Sequence, residues 1–365
     1  MANQTPDDST NHHPTTHHLL VPQLVGLGVI AVITVIGNFL ICWIEITRKP
    51  RKRSGYFIIN LAVSDLAVGL LSIPLEIVEL LSSEWPFFGF MCNVVYPFQT
   101  ILMAVSVITL LCMSLERNRA IITPFKSKPS GGLVVRVVLA VWVVSVLLVI
   151  PYTLVLKIKD DSCVEDWPSQ DHVKAYTVIV FIVLYLLPLT LITMCYTNIC
   201  IFLCKEERRW KSMTMYCGQS IRRVRRISNT RHKQNVKMIK AFVAAVMAFA
   251  ICQLPNHVIW LWHDFGTGSQ WKHLDDVLPF CHVLTYLNSA IDPFIFGSLD
   301  AEILRQKVRT ALRLSKRQQN GALTVRSALT QESKNKKRKG TQTRVTSLLR
   351  TRSTKRRSST MESEV

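Results

Sequence analysis

Residues 94–115 read VVYPFQTILMAVSVITLLCMSL, run directly into Glu116-Arg117-Asn118, and are followed by Pro124-Phe125. An apolar run of this length closed by charge is long enough to cross a ~30 Å hydrocarbon core as a helix. At ~100° per residue, Gln99, Ser106 and Arg117 fall on one stripe. Gln99 to Ser106 is about 20° short of two turns, and Gln99 to Arg117 is five full turns. A helix that is apolar all round is buried in protein or lipid. Polar groups aligned along it mark a face that looks into a bundle rather than at lipid.

Working outward, the chain has 365 residues, 49% hydrophobic, with a formal net charge of +20. Its mean hydropathy is nevertheless positive, +0.24. Apolar content and charge are therefore segregated, which is the pattern of a membrane protein. Seven apolar segments lie near 20–46, 56–81, 91–122, 133–157, 173–203, 236–262 and 274–297. The expectation is an all-α membrane protein, a seven-transmembrane helix bundle over 20–298. A polar tail precedes it at 1–19, with Asn3-Gln4-Thr5 as a glycosylation acceptor if that end lies outside. No basic stretch precedes the first apolar run, so a cleaved signal peptide is not expected.

The connections alternate in charge. Arg48 to Arg53, Arg119 to Arg136 and Arg222 to Arg226 hold basic clusters, whereas Glu84, then Asp160 to Asp166, then Asp264, Asp275 and Asp276 mark the opposite side. The positive-inside rule places the N-terminus outside and the C-terminus in the cytoplasm of a plasma-membrane protein. After Gly297, Leu304, Val308 and Leu312 recur every four residues between Arg and Lys, which predicts an amphipathic helix over 299–314 on the inner leaflet. Residues 315–365 are rich in Lys, Arg, Ser and Thr and predict a disordered tail. Its charge suits an anionic leaflet, so no nucleic-acid partner is expected. The last residues, with Ser363 two before the terminal Val365, resemble a class I PDZ ligand.

Polar groups deep in apolar helices are costly, which makes them candidates for function. Here they are Asn38, Asp65, Ser106, Asn288, Ser289 and Asp292. Two carboxylates with hydroxyl and amide oxygens form a hard-donor set, with Na⁺ as the expected occupant. The competing reading is a hydrogen-bond network that ties helices together. Otherwise no cofactor is expected. No CxxC pair with metal spacing occurs among the ten cysteines. Prolines 74, 151, 188, 255 and 293 interrupt five spans and are expected to kink them.

These residues resemble, in order and spacing, the class A or rhodopsin-like G-protein-coupled receptors, most closely the neuropeptide receptors. The matching motifs are Gly37-Asn38, Leu61-Ala62-Val63-Ser64-Asp65, Trp85-Pro86-Phe87 before Cys92, and Glu116-Arg117-Asn118 where the family has D-R-Y. Trp142, Pro151, Pro188 and Tyr196 mark the fourth and fifth helices. Phe249 to Pro255 matches F-x-x-C-W-L-P, and Asp292 to Phe296 matches N-P-x-x-Y. Gln253, Phe296 and Asn118 depart from the family, and Asn235 stands where an acidic partner for the Arg often sits. Weak restraint of the resting state is the expected consequence.

The resemblance implies a receptor rather than an enzyme, one that binds an extracellular ligand and activates a heterotrimeric G protein. It assigns coupling to Glu116, Arg117, Pro124, Phe125 and Tyr196, and arrestin binding to the Ser/Thr-rich tail. An outer disulfide is expected between Cys92 and Cys163, with Cys281 as the rival partner; both cysteines of the pair flank spans on the outer side. Tyr286 stands where an opsin carries its Schiff-base Lys, which excludes light sensing. Gln99 stands where amine receptors carry Asp, and peptide receptors commonly carry Gln there.

Glu76 lies eleven residues past Asp65, about 16 Å higher on the same face, with Glu79 a turn above. Gln99, Asn256, His257, Trp260, His282 and Tyr286 complete the expected ligand set. No Lys or Arg in the outer helix halves is an evident partner, so both carboxylates are expected to be unpaired. This mix suits a short peptide with an Arg, a Lys or an amidated end. The alternative in the same fold is a receptor for a lipid or other small non-peptide ligand. A transporter is less favoured, since no inverted repeat or Gly-broken helix pair is visible. No HExxH or GxSxG lies in any span.

Overall fold

The computed structural model describes residues 17–48, 53–82, 85–123, 130–160, 162–216, 222–271, 273–274 and 277–298, of which 17–19, 210–216 and 222–234 are described as backbone only. The chain forms seven long helices. They are α1 (His17–Thr47), α2 (Arg53–Leu81), α3 (Gly89–Ile122) and α4 (Gly131–Val155), then α5, α6 (Arg222–Phe265) and α7 (277–298). Helix α5 runs through Gln170–Phe181, Ile182–Leu186 and Leu187–Tyr216. Six of these are long and apolar enough by themselves to cross a membrane. Outward stripes of exposed aliphatics run along the peripheral helices, such as Val25, Val29, Val32 and Ile36 on α1 and Leu139, Val143, Val146 and Leu147 on α4. Such a face is stable only against lipid. Asn3, Glu84, Pro124, Phe125, Asp275, Asp276, the amphipathic segment 299–314 and the tail with Ser363 and Val365 lie outside the described residues.

Helix α3 is the hub, packed against α2, α4, α5 and α6. That position explains its sequence. Ala104, Val105, Val107, Leu110 and Met113 are buried around the stripe on which Ser106 lies. A buried chain of hydrogen bonds ties it to its neighbours. Trp142 Nε1 donates to Asn60 Oδ1 at 2.9 Å, and Asn60 Nδ2 donates to Thr109 Oγ1 at 2.8 Å. On the other side of the bundle α1 meets α7 without a side chain between them. A Cβ at Gly37 would lie 2.6 Å from Pro293 Cγ. The absent side chain lets the helices close in, and it brings Asn38 Nδ2 to 3.0 Å from the Ser289 carbonyl.

The expected proline kinks take a particular form in two helices. One wide π turn, Val68–Ser72, precedes Pro74, and another, Ile182–Leu186, precedes Pro188. The extra residue in the turn relieves the clash between a proline ring and the carbonyl four residues back.

The one sheet was not expected. Leu156–Lys159 and Ser162–Glu165 form an antiparallel hairpin with Ile158 opposite Cys163. Asp160 turns it at φ 48°, a conformation that Asp tolerates. The apolar fourth segment was read through residue 157, but Pro151 and the Lys157/Lys159 alternation hand the chain to an extended strand. Cys163 is joined to Cys92 across 71 residues of sequence, with Cα atoms 5.7 Å apart. Cys281 is buried and free, so the rival pairing does not occur. Lys157 and Lys159 clamp Asp166 at 2.9 and 2.6 Å. The hydrogen bonds from Lys159 and then Lys157 hold this carboxyl down at about 2. A depressed carboxylate contributes above its ordinary range and loses its contribution only as pH falls toward 2. The clamp thus persists at every physiological pH.

Candidate functional site

Three polar constellations occupy the axis of the bundle. The first, toward the disulfide end of the bundle, lies between α2, α3 and α7. Glu76 is buried, with its Oε1 2.7 Å from His282 Nδ1, while Tyr286 donates its hydroxyl to Oε2 at 3.1 Å. Gln99 lies beside the same carboxylate, and its Nε2 has no hydrogen bond of good geometry among the described residues. Glu79 accepts from the Tyr96 hydroxyl. The expectation of two unpaired carboxylates is therefore corrected. A search for Lys and Arg overlooks the imidazole and phenols that α3 and α7 supply. His282 stays partly open, with 30% of its side chain exposed.

Helix α6 supplies the remaining expected residues. His257 is buried between Phe181 and Tyr185 at ring distances of 5.7 and 4.9 Å, with its Nε2 unpartnered among the described residues. Asn256 Oδ1 is likewise buried without a partner. Trp260 packs edge-on against His263 at 5.5 Å. Gln253 accepts from Thr285 at 3.4 Å and so faces α7. Donors and acceptors left open on one side and a carboxylate on the other suit a ligand that carries several polar groups.

The second constellation sits mid-bundle. Asp65 and Asp292 are both fully buried, each within electrostatic reach of the other, with Ser289 against Asp65. Both oxygens of each carboxylate, and Asn288 Oδ1, lack a hydrogen bond of good geometry among the described residues. Ser106 is 3.2 Å from Ser64, which lies one residue before Asp65. These five buried oxygens are hard donors of the kind that could hold a small cation. Asn38 instead spends its amide on the carbonyls of Thr34 and Ser289, so it braces the site rather than joining it.

The third lies at the other end of α3. Arg117 is 9% exposed and pairs with Glu116, Nε to Oε2 at 3.1 Å. Two further contacts come from α6. The guanidinium stands 5.5 Å over the Phe242 ring, and Nη1 is 3.6 Å from Met238 Sδ. Phe242 in turn packs edge-on against Phe296 at 5.7 Å. Tyr196 lies 3.3 Å from Ser114 Oγ, which turns it toward α3. Sequence reasoning missed Tyr96, Thr285, Met238 and Phe242, because aromatic and neutral residues inside apolar runs carry no signal of their own. Asn60 had one, a polar residue five before Asp65.

The comparisons agree with this geometry. The "7 transmembrane receptor (rhodopsin family)" model matches residues 37–296. The rat (Rattus norvegicus) galanin receptor type 1 is 31% identical over 289 residues, covering 76% of this chain and 78% of the relative. The neuropeptide FF receptor 2 of the same species is 27% identical over 308 residues, covering 79% of this chain and 72% of the relative. The human (Homo sapiens) galanin receptor type 1 is 30% identical over 290 residues. A disulfide from the start of α3 to the hairpin, a pairing of buried Arg117 with Glu116 at the far end of α3 and a family match across all seven helices thus converge: the chain belongs to the rhodopsin family of seven-transmembrane receptors.

Proposed function

We propose that the protein is a plasma-membrane receptor for a short cationic or amidated neuropeptide, with its N-terminus outside, and that it activates a heterotrimeric G protein. The carrying observation is that Glu76 and Glu79 sit among polar side chains of α3 and α7, while Asn256 Oδ1 and His257 Nε2 on α6 are buried without a partner among the described residues. Peptide receptors among the similar proteins support it. A lipid ligand would leave these buried polar groups unmatched, which is costly. In a two-state bundle, an agonist acts by favouring the state whose inner face is open. A panel of amidated Arg- and Lys-bearing peptides and of neutral lipids, read by calcium and cyclic AMP together, tests this. Response to the peptides is expected; response to lipids alone overturns it. Arrestin capture by the Ser/Thr-rich tail and a PDZ contact at Ser363 and Val365 belong to the same proposal.

Asp65, Ser106, Asn288, Ser289 and Asp292 fit Na⁺ by donor chemistry, with hard oxygens from carboxylate, hydroxyl and amide groups. Bound there, the ion would supply positive charge between the two carboxylates. It is expected to favour the resting state and so to lower agonist affinity. Replacing sodium by choline should raise agonist affinity in the unsubstituted receptor, and Asp65→Asn should erase the difference. Equal affinity in the two salts, before any substitution, assigns these residues to a network instead.

A further inference from the structure

The far end of α5 turns two thiols away from the bundle. Cys200 and Cys204 are exposed, whereas Cys42, Cys195, Cys252 and Cys281 are buried and Cys112 is half-buried. The inward face of this stretch is carried by Ile192, Tyr196, Ile199 and Leu203, all members of the main core cluster. Neither outward cysteine is needed for packing. Four residues apart, they lie on one face about 6 Å from each other along the axis. Lys205-Glu206-Glu207-Arg208-Arg209 follow at once, three cations against two carboxylates, where the membrane-crossing segment ends. A charged cluster at that level marks the membrane–water boundary. A juxtamembrane thiol in that setting is the acceptor in reversible S-acylation.

A second observation lies along the same helix. Leu186, Leu189, Thr190, Thr193 and Met194 line a shallow apolar groove on the outside of α5. Thr193 and Leu189 stand within about 20° of Cys200, roughly 10 and 16 Å toward the bilayer centre. A chain attached at the interface and pointing into the membrane would pass over this groove.

We propose that Cys200 and Cys204 are S-acylated by a long-chain acyl-coenzyme A and that the acyl chains lie along this outward face of α5. Each thiolate sulfur attacks the thioester carbonyl carbon. The new sulfur–carbon bond forms as the bond to coenzyme A breaks, and the departing coenzyme A thiolate takes up the proton released by the cysteine. No electrons change hands. The step rests on the orientation proposed above, which puts this end of α5 in the cytoplasm.

The test uses the full-length receptor in cultured animal cells, with free thiols blocked, thioesters cleaved by hydroxylamine and the new thiols tagged with a polyethylene-glycol maleimide. Two hydroxylamine-dependent mass steps are expected, one in C200S and in C204S, none in the double variant, and two in C217S. Absence of the steps in the unsubstituted receptor, or their survival in the double variant, overturns the proposal. Should the double variant fail to reach the surface, mass-spectrometric mapping of the unsubstituted surface protein reads the same two positions, and unmodified peptides overturn it. An epitope tag after Val365 separates the orientation. Antibody staining of intact cells would overturn both readings, whereas a tag reached only after permeabilisation, with no mass steps, overturns acylation alone.

Discussion

Replacing Arg117 by Ala is expected to abolish G-protein activation while leaving agonist affinity within a few-fold. Arg117 is a buried cation near the C-terminal end of the hub helix, paired with Glu116. Among its described partners only Glu116 is charged, and it is the adjacent residue on the same helix. The ties to α6 are soft, being the Phe242 ring face at 5.5 Å and the Met238 sulfur at 3.6 Å. A cation–ring contact contributes about 0.5–2 kcal/mol. The α6 position where an acidic partner was sought is Asn235. When α6 moves, Arg117 loses these soft contacts at small cost and becomes available to an inserted helix. The same geometry gives a companion result. Phe242→Leu removes about 1 kcal/mol from the resting state alone, so basal signalling should rise about five-fold. Measurement is by G-protein activation and agonist binding at matched surface expression. Normal signalling by a well-expressed Arg117→Ala receptor would refute the role.

The bundle was legible because each helix declares itself by length. A run such as 94–115 has nowhere to go but a membrane, and charged connections set the order of its ends. The axial carboxylates were legible for the same reason, since Asp65 and Asp292 are conspicuous in apolar surroundings. The partners of Glu76 and Glu79 were less so: Tyr96 looks like an ordinary member of an apolar run, and Tyr286, though expected at the ligand site, gives no sign of its bond to Glu76 until α2, α3 and α7 are laid side by side. Phe242 and Phe296 show the same limit, since an aromatic latch on Arg117 has no spacing signature. The hairpin was hidden by Leu156 and Ile158, whose apolar side chains prolong the fourth segment in sequence. The π turns before Pro74 and Pro188 depend on how helices share space, which no single helix records.

Glu76→Gln is expected to weaken an Arg- or Lys-bearing agonist by at least tenfold and to spare a neutral analogue. The substitution keeps volume and removes charge, so packing of α2 against α7 survives. In the ligand-free structure both carboxylate oxygens are engaged, Oε1 by His282 and Oε2 by Tyr286. A carboxylate has about four lone-pair sites, so each oxygen retains one for a ligand donor. His282 is 30% exposed on its side chain and has room to yield. A guanidinium entering from outside can then form the paired geometry that carboxylates favour. Hydrogen bonds to charged groups contribute roughly 1.5–3 kcal/mol, about 10- to 150-fold in affinity. Gln99, already beside Glu76, is placed to bond a terminal amide without requiring a charged amine. The position of His282 makes a second measurement decisive. If the imidazole competes with the peptide cation, His282→Ala should leave cationic agonist affinity unchanged or raised, opposite to Glu76→Gln. If instead Glu76→Gln and Glu79→Gln both bind the cationic agonist normally, or the agonist proves acidic, the carboxylates serve only to fasten α2 to its neighbours.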